Sequence, residues 1–244
     1  MDHKNPTGNG EFLLLMWYHR GMKRTPWEVR KVNSNSRFHR ELRKSLSLSA
    51  VQKSALLGSL LGDGCLITNP SMTNYRLQIE QSDKQKEYVF WKYEIFKNFV
   101  LSPPKYLPRT NSWKFRTISH RDFLPFVKMF YKNGKKILPR DLSFLKDPLL
   151  LAVWFMDDGC LDRHSGYILN TQNFTLAENR RLMSALTSKL GLRDVSLHHD
   201  KKYYGLYVRK KSMAAFRDLF LEYMQPTMMY KIDFSNPVET CSRE

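Results

Sequence analysis

The chain is poor in cysteine and in acidic residues, and it lacks long apolar runs. Three cysteines in 244 residues, Cys65, Cys160 and Cys241, cannot build a disulfide scaffold and cannot by themselves fill a four-ligand structural zinc site. The longest apolar runs are Phe12–Tyr18 and Leu149–Met156. Both fall far short of the ~20 residues that cross a bilayer, so no membrane-spanning helix and no membrane partner are expected. Little positive charge precedes the first run, which disfavours a secretory signal, and acidic residues among the first 48 disfavour a transit peptide. The sequence reads as intracellular, in an organelle or a bacterial cytoplasm.

The deficit of acid is large: 40 Lys+Arg stand against 23 Asp+Glu, a net charge of +17. With 42% hydrophobic and 13% aromatic residues the chain can nevertheless bury a sizeable core, which excludes wholesale disorder. A folded, strongly basic chain points to a polyanionic partner, nucleic acid first, because neutralising phosphates releases counterions. A membrane-surface role would gather the basic residues on one amphipathic helix; here they run along the whole chain.

Residues 1–48 differ from the rest, with many basic residues and turn formers around one apolar run, and read as an irregular basic arm. Structure is then expected to begin sharply. Ser49 and Gln52 have the spacing of a capping box, ahead of the apolar stretch Ala55–Gly62 that ends at Asp63-Gly64. Asp147-Pro148 marks a second helix start, N-cap followed by proline at the first helical position. That helix runs to Asp157-Asp158-Gly159.

The two segments are related. Asp63-Gly64-Cys65-Leu66 recurs as Asp158-Gly159-Cys160-Leu161 at an offset of 158 − 63 = 95, and the same offset carries Lys136-Ile137 onto Lys231-Ile232 and Met129 onto Met224. Each Asp is therefore followed by a Lys after 73 residues (136 − 63 and 231 − 158). After each Asp-Gly come strand signals (Tyr75–Gln81; Tyr167–Thr171), a helix (Lys86–Val100; Leu176–Leu190), two strands (Pro104–Arg109 and Ser112–Ser119; Asp194–His199 and Tyr203–Arg209) and a closing helix (Arg121–Tyr131; Ser212–Met224). The reading is an α+β protein of two pseudo-symmetric αββαββα subdomains, 49–145 and 146–235, with an arm at 1–48 and a tail at 236–244. Alternation along the strands sets Tyr75, Leu77 and Ile79 against Arg76, Gln78 and Glu80, so each sheet should have one buried face and one polar, basic face.

Leu56-Leu-Gly-Ser-Leu-Leu-Gly-Asp-Gly64 and Leu151-Ala-Val-Trp-Phe-Met-Asp-Asp-Gly159 both resemble the nine-residue motif of the LAGLIDADG homing endonucleases. Two such motifs in one chain resemble the single-chain members of that family. Ile168–Thr175 and Met228-Met-Tyr-Lys231 are similar to the second half of yeast mitochondrial intron-encoded members. The resemblance spans about residues 49–235.

The resemblance implies a monomeric, site-specific DNA endonuclease whose central helices pack side by side and whose curved antiparallel sheets lie in adjacent major grooves. The register assigns Asp63 and Asp158 as the metal-binding, catalytic carboxylates. Asp157, at the motif's alanine position, and Gly62 are counted with them at the metal site, Asp157 as a supporting or helix-end residue. Two nearby carboxylates repel each other, and a divalent cation, Mg²⁺ or Mn²⁺, relieves that repulsion. Lys136 and Lys231 resemble the basic residues placed near the scissile phosphates, with Lys135 a close competitor to Lys136. Gln81 and Asn173 are candidates for positioning water. Arg76, Gln78, Lys114, Arg116, Asn170, Tyr207, Arg209 and Lys211 are expected to contact double-stranded DNA, with Arg and Lys reading guanine and Asn and Gln adenine. Gly58, Ser59 and Gly62 form a small-residue stripe, opposite which Val153, Trp154 and Phe155 look too bulky for a symmetric fit. His198 and His199, adjacent on a strand, point to opposite faces and cannot ligate one metal together. The rival readings are an RNA maturase that assists splicing of its intron and a non-cleaving DNA-binding regulator. The presence of both carboxylates favours the endonuclease.

Overall fold

A computed structural model describes residues 37–68, 74–162, 166–200 and 203–232. The Phe12–Tyr18 run, Cys241 and the 236–244 tail lie outside the described residues. Part of the supposed irregular arm is helical: α1 spans Arg37–Ser45.

The central helices are α2 (Ala50–Leu61) and α5 (Pro148–Asp158). Both begin as their sequences dictate. Ser49 Oγ accepts from the Gln52 amide while the Gln52 side chain accepts from the Ser49 amide, closing the capping box. Asp147 accepts from the Leu150 amide, with Pro148 in the first turn. The two starts are tied together, because the Ser54 hydroxyl also bonds the Asp147 carboxylate.

The helices meet through small residues at fixed spacing. A Cβ at Gly58 would lie 2.6 Å from the Leu150 carbonyl oxygen and 2.7 Å from Val153 Cβ. One turn on, a Cβ at Gly62 would lie 2.5 Å from Asp157 Cβ. Val153 and Asp157 are thus the knobs for which the glycines clear space. The bulky neighbours do not interfere: Phe155 turns the other way, onto Tyr167, Phe216 and Phe220.

Each helix leads straight into a sheet. The first comprises β1 (Cys65–Thr68), β2 (Tyr75–Ser82), β3 (Lys105–Leu107) and β4 (Ser112–Arg116), ordered β1-β2-β4-β3. Helix α3 (Lys86–Phe96) links its two hairpins, α4 (Leu124–Phe130) follows, and the short pair β5 (Tyr131–Lys132) and β6 (Lys135–Lys136) closes the half. The second sheet comprises β7 (Gly159–Asp162), β8 (Gly166–Leu169), β9 (Val195–Asp200) and β10 (Tyr203–Arg209), in the equivalent order β7-β8-β10-β9. Its helices are α6 (Leu176–Leu190) and α7 (Lys210–Asp218). Every strand pair within these sheets is antiparallel.

Several helices are shorter than their apolar patterns. α3 gives way to a 3₁₀ turn at Lys97–Phe99, α7 to one at Leu221–Tyr223, and the segment before α4 is 3₁₀ over Arg121–Phe123. The β5–β6 hairpin was not foreseen. Its turn uses Asn133 and Gly134, both at positive φ (52° and 73°), the backbone that a tight two-residue hairpin needs. One continuous core joins both halves: Leu56, Leu77 and Phe115 on one side and Leu169, Leu206 and Phe216 on the other all belong to it.

Candidate active site

The C-terminal ends of α2 and α5 bring Asp63 and Asp158 to one place. Burial raises the Asp63 carboxyl above the usual carboxylate range, and the neighbouring Asp157 charge adds to the rise. The residue is nevertheless exposed, so protein is dense around it without covering it. Asp158 is half-buried and pushed further up, by burial first and then by the charges of Asp63 and Asp157. The site is therefore short of positive charge where the two carboxylates face each other.

Two lysines partly answer this. Lys136 Nζ donates to the carbonyls of Gly62 (2.8 Å) and Gly64 (3.0 Å) at the end of α2. Lys231 Nζ donates to those of Met156 (2.6 Å) and Asp157 (3.0 Å) at the end of α5. Each ammonium thus sits on the negative end of a central helix, where a cation is favoured, and their charges reach across the interface: Lys136 acts most on Asp158, and Lys231 on Asp157 and Asp63 before Asp158. Burial lowers the proton affinity of both lysines, opposed by the surrounding carboxylates. The competitor Lys135 is exposed. The equal spacing of Asp and Lys in the two halves corresponds to equivalent helix-end contacts.

Asp157 departs from the expected cation ligand. Its side chain is wholly buried and its Oδ1 accepts from Lys92 Nζ (2.5 Å), Tyr88 Oη (2.9 Å) and Gln81 Nε2 (2.9 Å). Oδ1, committed to three donors, has no lone pair left for a cation, and Oδ2, though without a hydrogen bond, is sealed from solvent. Gly62 departs as well: its carbonyl faces the Lys136 ammonium, and its missing side chain makes room for Asp157. Lys92 and Tyr88, on α3, are the residues that sequence reasoning missed. The only signal was a lysine among the apolar positions Tyr88, Val89, Tyr93 and Phe96.

Gln81 lies on the buried side of β2 and its Nε2 also reaches Asp63 Oδ2 (3.3 Å). Asn173 does not mirror it. Cys65 pairs with Gln78 and Cys160 with Ile168, so three residues further on the counterpart of Gln81 is Thr171. Thr171 is buried and bonds Asn179, whereas Asn173 is exposed in the turn before α6. Asn170 meets Asp158 through the backbone, its main-chain N–H donating to the Asp158 carbonyl oxygen (2.9 Å), while its side chain faces Gln172.

The outer sheet faces carry the expected polar residues. Gln78 stands opposite Arg116, and Glu80 opposite Lys114, on the side away from Leu77 and Ile79. Arg76 and Gln78 are half-buried and Arg116 is exposed. Some of this charge is already paired: Lys114 with Glu80 at 2.8 Å and Arg209 with Asp194 at 3.7 Å. Tyr207 packs across Gly166, where a Cβ would meet its ring at 2.2 Å, and donates its hydroxyl to Asp162 (2.7 Å). Burial and that bond push the Tyr207 phenol up to about 12. Lys211 lies beyond the strand, exposed in the first turn of α7. His198 and His199 go to different partners, Tyr207 and Tyr204, as alternation requires.

The sequence pattern of the LAGLIDADG DNA endonuclease family matches residues 53–216. Over 217 residues the chain is 30% identical to a protein of Wickerhamomyces canadensis named probable intron-encoded endonuclease 1, covering 82% of this chain and 92% of that one. It is 31% identical over 189 residues to the cytochrome b mRNA maturase bI2 of Debaryomyces hansenii, covering 72% and 71%. Among solved structures it superimposes on the homing endonuclease I-WcaI bound to its DNA recognition sequence, with a TM-score of 0.77 at 28% identity over 86% of this chain and 98% of that one.

Proposed function

The chain belongs to the LAGLIDADG DNA endonuclease family, and on that premise we propose that it is a monomeric homing endonuclease that makes a double-strand break at a long, asymmetric DNA target. The observation that carries this reading is the convergence of Asp63 and Asp158 at the ends of two packed helices, each helix end closed by a lysine. Subdomains 49–145 and 146–235 would each present one sheet to the duplex.

The donor set suits a hard divalent cation. Among the described residues no group of three His, Cys, Asp or Glu side chains is placed to hold a metal ion; with Asp157 turned to Lys92, the protein offers two carboxylates and leaves other positions to water and phosphate, as Mg²⁺ prefers. Asp63 and Asp158 would hold it, and it would supply Lewis acidity at the phosphate and an acidified water. Lys136 and Lys231 place positive charge where a phosphate leaving group develops negative charge. Arg76, Gln78, Lys114 and Arg116 on one sheet, and Tyr207 and Arg209 with Lys211 on the other, fix register on phosphates and read base edges. Among the described residues no helix is long and apolar enough to cross a membrane.

The relative named as a cytochrome b mRNA maturase favours a second reading, in which the chain also binds its intron RNA and assists splicing. The direct test is incubation with Mg²⁺ and a plasmid carrying the uninterrupted allele of the host gene. A linear product that disappears with chelator supports the nuclease. Intact plasmid, with accelerated splicing of the intron RNA, would leave the maturase reading alone.

A further inference from the structure

The pseudo-twofold repeat relates position 62 to position 157, since 157 − 62 = 95. One holds glycine and the other aspartate, and only one side chain fits between the helices: a Cβ at 62 would come within 2.5 Å of Asp157 Cβ and 2.9 Å of its Oδ2. The interface is therefore asymmetric at its centre. Asp157 comes from the second half, yet every donor to its carboxylate comes from the first: Lys92 and Tyr88 on α3 and Gln81 on β2.

Gln81 extends this asymmetry to the catalytic carboxylates. Its Nε2 lies 2.9 Å from Asp157 Oδ1 and 3.3 Å from Asp63 Oδ2. Ionised carboxylates only accept hydrogen bonds, so the amide must present its nitrogen to this pair. Its Oε1 is left buried without a partner, which marks the orientation as imposed by Asp157 and Lys92 rather than chosen by the amide. Asp158 has the Lys136 charge nearby but no such hydrogen bond. Thr171, in the Gln81 position, turns to Asn179, and among the described residues no side chain hydrogen-bonds the Asp158 carboxylate.

We infer that the buried Lys92–Asp157 pair is a one-sided positioning device: through the Gln81 amide it holds Asp63 in place for its cation, while Asp158 is ordered only when cation and DNA arrive. Lys92, Asp157 and Gln81 are positioning residues. The inference rests on Asp63 and Asp158 being the cation-binding carboxylates, and the test separates the two claims.

The experiment measures Mn²⁺ affinity by electron paramagnetic resonance in single-carboxylate backgrounds. Asp63→Asn and Asp158→Asn alone should each weaken Mn²⁺ binding; if neither does, the assignment of the carboxylates fails. With Asp158→Asn, where Asp63 remains, adding Gln81→Met should weaken Mn²⁺ by roughly 10–100-fold, as loss of a ligand's supporting partner does. With Asp63→Asn, adding Gln81→Met should change little. Gln81→Met leaves the buried ion pair intact, so folding is not at stake. The double variant Lys92→Met/Asp157→Asn, which replaces the pair without stranding a charge, should reproduce the same one-sided effect. On a duplex that the wild type cuts, both variants should slow one strand by a similar factor and leave the other within about two-fold. Equal weakening in both backgrounds, or in neither, would overturn the inference.

Discussion

Gly62 and Asp157 share a space that holds one side chain. The glycine's φ is negative, −99°, so no left-handed backbone calls for it. It is required by the 2.5 Å that would separate its Cβ from that of Asp157.

Gly58→Ala and Gly62→Ala test this packing. At position 58, inside α2, an alanine gains about 1 kcal/mol over glycine; position 62, the C-cap beyond the helix, has no such gain, and overpacking a tight interface costs about 1–3 kcal/mol or more. With contacts of 2.6 Å to backbone oxygen at Gly58 and 2.5 Å to Cβ at Gly62, overpacking should win at both. Thermal denaturation should show lower melting temperatures for both. Gly62→Ala should also displace Asp157 from Lys92. An unchanged or raised melting temperature would mean that the helices can spread freely.

How much of this was legible beforehand follows from distance along the chain. Capping boxes, motif ends and the repeat are local or periodic, and the sequence shows them directly. Lys92 and Asp157 are 65 residues apart and join only when α3 packs behind the central helices. The counterpart of Gln81 was misplaced at Asn173 because strand register is set by pairing, Cys160 with Ile168, which a constant offset cannot reveal. The short pair β5–β6 has two residues per strand, too few for alternation to register. The bulk of Val153, Trp154 and Phe155 looked like an obstacle because the direction of each side chain was unknown; only Val153 faces Gly58.

The raised carboxylates set the pH dependence. A carboxyl whose folded proton affinity is raised contributes stability below its unfolded pKa and loses it as pH rises through the folded value. Without metal, Asp158→Asn removes a charge that burial first, and Asp63 and Asp157 second, make unfavourable, so it should melt higher than wild type at neutral pH, by about 2–4 °C per kcal/mol of that cost. The difference should vanish near pH 4. Mg²⁺ should stabilise the wild type more than the variant, and cleavage should fail on acidification above the ordinary carboxylate range. Identical melting curves for wild type and variant at neutral pH would refute the cost of burying the Asp158 charge beside Asp63 and Asp157.

Loss of either carboxylate should separate chemistry from binding. Asp63→Asn and Asp158→Asn should abolish double-strand cleavage in Mg²⁺ while DNA affinity stays within a few-fold, because the sheet faces are untouched. Asp157→Asn should behave differently. It strands the Lys92 ammonium in the core, and breaking a buried pair costs about 3–5 kcal/mol, so its first symptom should be a fall in melting temperature. Full cleavage by either Asp63→Asn or Asp158→Asn would reject the register chosen here.

Salt reports on the basic sheet faces. If binding rests on phosphate contacts, log affinity should fall linearly with log salt, by on the order of 10³ or more between about 50 and 200 mM. Arg116→Ala, at an exposed position with no acidic partner opposite, should reduce the slope by about one. Lys114→Ala should reduce it less, since Lys114 already pairs with Glu80. A flat response in fluorescence-anisotropy titrations would make these faces merely solvated.

Lys136 and Lys231 test the repeat itself. Each ammonium bonds two backbone carbonyls at the end of a different central helix, and the carboxylates they act on most differ, Asp158 for Lys136 and Asp157 then Asp63 for Lys231, so each should serve mainly one strand. Replacement by methionine removes the charge and roughly keeps the volume. Loss of one charge-stabilising group at such a site costs on the order of 10²-fold in rate, by analogy with oxyanion-hole donors. Lys136→Met and Lys231→Met should therefore nick opposite strands in preference, and the double variant should be slow on both. Lys231 is the more buried of the two, so Lys231→Met also relieves a desolvated charge and should lose less stability than Lys136→Met. Strand-resolved cleavage of an end-labelled duplex measures the first effect and thermal melting the second. Equal slowing of both strands by each single variant would mean that the lysines act through a shared centre, because two independent helix-end sites cannot produce it.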